Sequence, residues 1–192
     1  MGEKLGVEDG VVIDEFVSSL GRIDRLLGQT LSFAKPLIPS LEHVSLCDVV
    51  DDAVSQCRSL AAFTNMQMVN HCDKELRCNL DPQAFAEVFV NLFRNAGEAC
   101  GGTGTVTVDC RIVGGHTQID VRDTGPGVPV SMRGEIFKPF RSFKDYGTGI
   151  GLAFSRKVIQ AHDGSIELVA SDEGACFRIE LPVTTIKPRI LS

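Results

Sequence analysis

Residues 81–100, Asp-Pro-Gln-Ala-Phe-Ala-Glu-Val-Phe-Val-Asn-Leu-Phe-Arg-Asn-Ala-Gly-Glu-Ala-Cys, form a strong helical pattern. Five apolar residues recur at helical spacing and make one stripe: Phe85, Val88, Phe89, Leu92 and Phe93. Asp81 suits an N-cap, Pro82 suits the first helical position, and Gly101-Gly102 follows as a stop. The sequence therefore predicts a helix that is buried along one face.

The segments around this helix predict hairpins and two further helices. Residues 45–62 and 149–162 have helical patterns, and Gly164 is the expected cap of the second. Apolar runs predict strands at residues 65–70, 76–80, 103–112, 117–122, 165–169 and 176–181. Gly114-Gly115 suits a hairpin turn. Sequential hairpins between helices favour an α+β fold, a two-layer α/β sandwich, over a doubly wound parallel sheet.

The N-terminal part has a different pattern. Apolar and small residues step by three and four along residues 11–34: Ile13, Phe16, Leu20, Ile23, Leu27, Thr30 and Ala34. Pro36 and Pro39 end this pattern. We therefore expect one long N-terminal helix within residues 8–38, paired with another helix in a hairpin or dimeric bundle. The alternative is a helix packed on its own domain.

Composition excludes some classes of function. The chain has 192 residues, 43% of them hydrophobic, which is enough for a core without disulfides or a structural metal. With a formal charge of −6, the chain lacks the positive field of a nucleic-acid binder and would be repelled by anionic membranes. No apolar run approaches the length of a membrane span. We expect no nucleic-acid partner and no membrane contact by this chain.

The cysteines predict free thiols. There are seven, an odd number, and no Cys-x-x-Cys spacing occurs. Neither a disulfide framework nor a zinc ribbon fits this arrangement. We therefore expect buried free thiols in a reducing cytoplasm.

Two amides lie on the strong helix. Asn91 and Asn95 are four residues apart, so both side chains project from one face. Amide oxygens are neutral ligands suited to a hard cation such as Mg²⁺. The alternative is a pair of solvated or capping residues.

An acidic turn follows the predicted strand at residues 117–122. Asp123 begins the run Asp-Thr-Gly125-Pro-Gly127. Its carboxylate could accept a hydrogen bond from an exocyclic amine, and the glycines let the backbone approach a flat ring. Asp-x-Gly-x-Gly is also an ordinary turn sequence.

A long irregular segment at residues 124–149 is locally basic. Arg133, Lys138, Arg141 and Lys144 outnumber Glu135 and Asp145 between Pro129 and Tyr146. Basic residues with phenylalanine anchors suggest a lid that closes over an anion. A solvated loop pinned by buried phenylalanines is the alternative.

A glycine-rich turn precedes the last helix, with the sequence Gly147-Thr-Gly149-Ile-Gly151-Leu152. Such turns expose backbone N–H groups at a helix N-terminus, where phosphates bind. The pattern comes too late in the chain for a dinucleotide fold, and no P-loop occurs.

Taken together, the four segments resemble the ATP-binding catalytic domain of bacterial sensor histidine kinases, in the GHKL superfamily, and most of all the nitrogen-regulation type. The matches are Asn91 and Asn95 to the N box, Asp123, Gly125 and Gly127 to the G1 box, residues 137–140 to the F box, and residues 147–152 to the G2 box. The resemblance covers residues 44–184 and implies the GHKL ATPase fold there. Residues 8–38 resemble the second helix of the family's dimerisation hairpin.

The resemblance implies a site for ATP and Mg²⁺. It implies that Asp123 binds the adenine amine, that Asn95 ligates Mg²⁺ with Asn91 beside it, and that Lys144 contacts the γ-phosphate. Asn95 and Lys144 are the implied catalytic residues. The implied nucleotide-binding residues are Asn91, Asn95, Asp123, Gly125, Gly127, Val128, Phe140, Arg141, Lys144, Gly147, Thr148, Gly149, Ile150, Gly151 and Leu152.

The resemblance also implies phosphoryl transfer to a histidine, with relay to a response regulator receiver domain. The ATPase branch has a glutamate at the position of Asn91, so hydrolysis lacks a base here. None of the four histidines lies in a phosphoacceptor motif. The acceptor is therefore expected on a phosphoacceptor helix of the same or another kinase chain, the chain being a fragment or a short protein that acts on a histidine elsewhere. Pairing of residues 8–38 would make a homodimer. The expected location is the cytoplasm, although a full-length protein could be attached to a membrane.

Two rival functions share these motifs. An anti-sigma-type protein-serine kinase carries the same boxes, although the preceding helix argues against it. A non-catalytic nucleotide-binding module is the second rival.

Overall fold

A computed structural model describes residues 36–58, 60, 63–142 and 147–183. Its helices are α1 (Leu46–Cys57), α2 (Pro82–Ala99) and α3 (Gly151–Ala161). Its strands are β1 (Glu42–Ser45), β2 (Asn65–Asn70), β3 (Arg77–Leu80), β4 (Thr103–Val113), β5 (His116–Asp123), β6 (Ser165–Val169) and β7 (Cys176–Pro182), and a 3-10 turn spans Val130–Met132. The predicted helix at residues 8–38 falls outside the described residues except for 36–38, and Lys144 also falls outside them.

Five strands form one sheet in the order β2-β4-β5-β7-β6. β2 pairs with β4 in parallel, and every other pair in this sheet is antiparallel. β1 and β3 form a separate antiparallel pair. The predicted hairpin is confirmed, since Gly114 and Gly115 have φ of +58° and +80°, the left-handed values that a tight hairpin turn needs.

One face of the sheet packs against the helices, which makes the predicted two-layer α/β sandwich. The core between the layers includes the fully buried rings of Phe85, Phe89 and Phe93 on α2. Alternate strand residues such as Ile119 and Ile179 belong to the same buried core, because successive side chains of a strand point to opposite faces. Burial of these aromatic rings supplies a large share of the stabilisation of α2.

The polar side of the sheet is organised around Asp120, whose side chain is 2% exposed. Arg178 donates two hydrogen bonds to its two carboxylate oxygens, at 2.7 and 2.9 Å. Arg111 and Gln118 donate further bonds. This buried carboxylate is therefore paired and hydrogen-bonded, as burial of a charge requires.

The predicted start of α2 is confirmed by its cap. The Asp81 carboxylate accepts a hydrogen bond from the Ala84 backbone N–H at 3.0 Å, and Pro82 is the first helical residue. α1 is shorter than predicted and ends at Cys57, because the N–H of Leu60 turns back to the Cys57 carbonyl at 3.0 Å.

His162 ends α3 and joins it to α2. Its Nε2 accepts the Asp81 backbone N–H at 2.9 Å, so the ring proton is on Nδ1, which donates to the Val158 carbonyl at 2.7 Å. The ring also packs edge-on against Phe85. This buried histidine fixes the last turn of α3 against the first turn of α2.

The prediction of seven free thiols is wrong for one pair, because Cys72 and Cys110 form a disulfide. The parallel pairing of β2 with β4 brings Cys72, just past β2, against β4, with a Cα–Cα distance of 4.8 Å. The two cysteines are 38 residues apart in sequence, and no local sequence pattern indicated that they would pair. The other five cysteines are free: Cys47, Cys57, Cys78 and Cys176 are buried, and Cys100 is half-buried.

No helix in the described part of the chain is both long enough and apolar enough to cross a bilayer.

Candidate nucleotide-binding site

A cavity of about 670 Å³ opens between α2, the end of β5, the irregular segment after β5 and the glycine-rich turn before α3. Its volume lies within the usual range for small-molecule and cofactor sites. Eleven of the residues predicted to bind nucleotide line it: Asn91, Asn95, Asp123, Gly127, Val128, Arg141, Gly147, Thr148, Gly149, Gly151 and Leu152. The tertiary structure thus brings three of the four sequence motifs and part of the basic segment to one cavity.

Asp123 is the last residue of β5 and is 5% exposed. Its Oδ1 accepts backbone N–H groups from Gly125 at 2.9 Å and Ala175 at 3.1 Å. Its own N–H donates to the Ala175 carbonyl at 2.9 Å. These bonds hold the carboxylate in one orientation at the cavity wall, and no described residue donates to Oδ2.

Three glycines allow close packing around this carboxylate. Gly174 has φ of +65°, and a Cβ there would overlap the Asp123 carbonyl oxygen and lie 2.7 Å from Oδ1. Gly127 has φ of +73°, and its Cβ would lie 2.8 Å from the Gly174 carbonyl oxygen. Gly125 is tight as well, since its Cβ would lie 3.0 Å from Asp123 Oδ1. The glycines of the Asp-x-Gly-x-Gly turn are therefore required by the packing around Asp123 as well as by the turn itself.

Asn91 lies where α3 begins. A Cβ on Gly151, the first residue of α3, would lie 3.3 Å from Asn91 Oδ1. The N-cap residue Ile150 makes no side-chain cap hydrogen bond. Since the first N–H groups of a helix have no partner inside it, they are free to bind an anion beside Asn91.

The basic segment crosses the glycine-rich turn in direct backbone contact. The Phe140 N–H donates to the Gly149 carbonyl at 3.1 Å. Gly149 has φ of +67°, and a Cβ there would lie 2.5 Å from the Arg141 nitrogen. Phe140 itself has φ of +62°, an uncommon conformation for a bulky residue. Only glycine fits under this crossing.

Two cations of the basic segment share one carboxylate. Lys138 lies 2.6 Å from Glu135 Oε1, and Arg141 lies 3.4 Å from Oε2. The hydrogen bond and charge of Lys138, with the charge of Arg141, lower the pKa of Glu135. Arg141 therefore faces the cavity, but its guanidinium is already paired with Glu135.

Three predicted residues in the described part do not line the cavity. Gly125 lies behind Asp123, Ile150 is buried, and the Phe140 side chain is 64% exposed. Each of them contacts or adjoins a lining residue through its backbone. Lys144, also predicted, lies outside the described residues.

Some lining residues were missed by sequence reasoning. Arg94 and Glu98 lie on the same helix face as Asn91 and Asn95, and helical spacing was a signal that could have found them. Others lie outside the four motifs: Met132 and Ile136 in the irregular segment after β5, Ala175 just before β7 and Phe177 within it. No local pattern marks that second group.

The fold and the cavity define the class of protein. The chain belongs to the histidine kinase-, DNA gyrase B- and HSP90-like ATPase family, whose model matches residues 80–185. The matched part of the chain is therefore an ATP-binding domain of this family.

Individual proteins give a finer comparison. The chain is 34% identical over 193 residues to the sensory histidine kinase/phosphatase NtrB of Rhodobacter capsulatus, a match that covers 93% of this chain and 54% of that relative. The catalytic domain of histidine kinase ThkA, in a nucleotide-free form, has a TM-score of 0.68 at 26% identity, and covers 76% of this chain and 97% of that one. ThkA solved with the response regulator TrrA shares the fold at a TM-score of 0.74 and 22% identity, over 96% of this chain and 53% of that one. The chain spans about half the length of NtrB. The resemblance to the sensor histidine kinase catalytic domain is confirmed.

Proposed function

We propose that this chain is the ATP-binding catalytic part of a two-component sensor histidine kinase, with the catalytic domain at residues 44–184. It transfers the γ-phosphate of Mg–ATP to a histidine, for relay to a response regulator. The observation that carries the proposal is one cavity with an oriented carboxylate at Asp123 and an uncapped helix N-terminus beside Asn91. These two features suit the two ends of a nucleotide.

At the base end, Asp123 accepts a hydrogen bond from the adenine amine. Its Oδ1 is held by Gly125 and Ala175, and Oδ2 has no donor among the described residues. The apolar side chains of Ile136 and Phe177 line the same cavity and supply surface for a flat ring.

At the phosphate end, the first N–H groups of α3 and the backbone at Gly149 and Gly151 bind phosphate oxygens. Lys144 follows Arg141 in the basic segment, and we place it on the γ-phosphate.

The residues present fit Mg²⁺ only together with a nucleotide. The Asn91 and Asn95 amides face the cavity, and the structure gives neither a hydrogen-bond partner among the described residues. The described part contains no group of three or more histidine, cysteine, aspartate and glutamate side chains that could hold a metal alone. Asn95 would therefore ligate the ion jointly with phosphate oxygens, and the bound ion would offset phosphate charge during transfer.

Transfer to a side chain fits this cavity better than hydrolysis. The position from which the ATPase branch activates water holds Asn91, whose amide cannot take a proton. Glu98 lines the cavity on the other side of Asn95, about two helical turns from Asn91. The protein's contribution is then to position the nucleotide and offset its charge.

The acceptor histidine lies elsewhere than in the described cavity. His43, His71 and His116 are exposed, His162 is buried in its helix junction, and none of them lines the cavity. We infer that the acceptor comes from a phosphoacceptor helix of the same or another kinase chain. Residues 8–38 make the homodimer contact, and the partner for relay is a receiver domain in the cytoplasm. The ThkA–TrrA complex supports a response regulator partner.

Labelled ATP tests this function. The chain is mixed with ATP and Mg²⁺, alone or with a separate phosphoacceptor-hairpin protein. We expect an acid-labile phosphoryl group on the hairpin histidine and none on the chain alone. ADP binding without any transfer would indicate a non-catalytic nucleotide-binding module, and transfer to a serine of an anti-sigma antagonist would indicate the serine-kinase alternative.

Asn95→Asp tests the metal role. The added negative charge beside the phosphates should sharply weaken binding of Mg–ATP in a calorimetric titration. Asn79→Asp, the same change on β3 away from the cavity, is the matched control. Unchanged affinity in Asn95→Asp would remove the metal role.

A further inference from the structure

Arg94 shares a helix face with the two amides of α2. At 3.6 residues per turn, positions 91, 94, 95 and 98 fall within an arc of about 100°. All four side chains line the cavity. Arg94 is thus part of the cavity wall, between the two asparagines in sequence.

Two close contacts show how the cavity runs along α2. Asn91 meets Gly151 at the start of α3, the phosphate end. Ala99 meets Gly125, whose Cβ would lie 3.4 Å from the Ala99 Cβ, beside Asp123 at the base end. Arg94 lies about 4.5 Å along the helix axis from Asn91 and about 7.5 Å from Ala99. Its Cα therefore belongs to the phosphate half.

Charge pairing distinguishes Arg94 from the other cavity cation. Of the described residues that line the cavity, Arg94 and Arg141 are the basic ones. Arg141 is paired with Glu135. In the described ranges the structure assigns no hydrogen bond and no ion pair to the Arg94 guanidinium, which is half-buried. The N–H donors of the Arg94 guanidinium are therefore available to a ligand.

The chemistry of a guanidinium suits a phosphate. It stays charged at any physiological pH and presents a planar fork of N–H donors that matches phosphate oxygens. Asn91, Asn95 and the helix N-terminus supply only neutral or partial charges, so among the described residues of this helix face Arg94 is the one that adds a full positive charge to that of a bound Mg²⁺.

We propose that Arg94 binds the phosphate chain of the nucleotide and so sets the preference of the site for phosphorylated adenine ligands. This role deepens the proposed function and rests on it.

Arg94 also lies near the end of α1. Burial raises the pKa of the Cys57 thiol to about 11, and the positive charge of Arg94 acts in the opposite direction by lowering it. A purely structural role would be to hold the C-terminal end of α1 against α2. The experiment separates this role from phosphate binding.

The experiment compares Arg94→Gln and Arg94→Lys with wild type in titrations of adenosine and of a non-hydrolysable ATP analogue, followed by NMR with Mg²⁺ present. Arg77→Gln, an exposed change of the same charge on β3, is the control. We expect Arg94→Gln to weaken binding of the ATP analogue about tenfold or more, the effect of losing charged hydrogen bonds, with adenosine affinity unchanged. Arg94→Lys should recover part of the loss because it keeps the charge.

Three results would overturn the proposal. Equal affinities of Arg94→Gln and Arg77→Gln for the ATP analogue would show that Arg94 does not meet phosphate. Equal losses for adenosine and the ATP analogue, with a lower unfolding temperature, would show the structural role. Binding of neither ligand by wild type would instead overturn the proposed function, and this inference with it.

Discussion

Gly174→Ala tests whether the Asp123 carboxylate is held by close backbone packing. Gly174 has φ of +65°, and an added Cβ would lie 2.6 Å from the Asp123 carbonyl carbon and 2.7 Å from Oδ1. The neighbours include backbone, so the chain itself must move. The two segments would then separate at the point where Ala175 and Asp123 exchange their hydrogen bonds.

The cost can be worked from three contributions. The left-handed conformation costs alanine about 1 kcal/mol. Loss of the bond from the Asp123 N–H to the Ala175 carbonyl costs about 1 kcal/mol, and loss of the bond to the buried carboxylate about 1.5–3 kcal/mol. We therefore expect Gly174→Ala to lower the free energy of unfolding by roughly 3.5–5 kcal/mol.

Gly114→Ala is the matched control. Gly114 has φ of +58° in the hairpin turn, and its added Cβ would meet nothing within 4 Å. This variant carries the conformational cost alone, about 1 kcal/mol. Urea unfolding measures both variants, and adenosine titration shows whether Gly174→Ala also loses the base site. Equal destabilisation by the two variants would refute the packing argument, as would unchanged adenosine affinity in Gly174→Ala.

Two further predictions concern buried polar groups. Burial raises the pKa of Asp120, but hydrogen bonds from Arg178 and Gln118 and nearby guanidinium charges outweigh burial and leave the pKa below its ordinary value. Asp120 therefore contributes stability above the ordinary carboxyl pKa, and this contribution is lost as the pH falls through the lowered pKa. Asp120→Asn should cost about 2–3 kcal/mol at pH 7 and progressively less in acid, and a difference from wild type that stays constant with pH in urea unfolding would contradict this prediction. His162→Leu leaves the Asp81 N–H without its acceptor and should cost about 1–3 kcal/mol by thermal unfolding, whereas a wild-type melting curve would show that the α2–α3 junction does not depend on that bond.

Short-range patterns account for what could be predicted from sequence. The cap at Asp81, the stripe of α2 and the turn at Gly114 depend on residues within a few positions of one another, so periodicity and turn chemistry reveal them. The motif residues of the site were found in the same way, because each motif is local and their order along the chain is distinctive.

Long-range pairing accounts for the features that could not be predicted from sequence. The Cys72–Cys110 disulfide and the packing of Gly174 on Asp123 join segments 38 and 51 residues apart, and no local signal reports such contacts. Whether a charged side chain has an ion-pair partner likewise depends on the tertiary structure.

By itself, the sequence determined the helices, the hairpins and the four motifs, because those follow from backbone preferences over a few residues. Only the tertiary structure decided that Arg141 is paired with Glu135 while Arg94 has no hydrogen-bond or ion-pair partner among the described residues. The physical reason is that an ion pair depends on distances in the folded chain, which one-dimensional spacing does not contain.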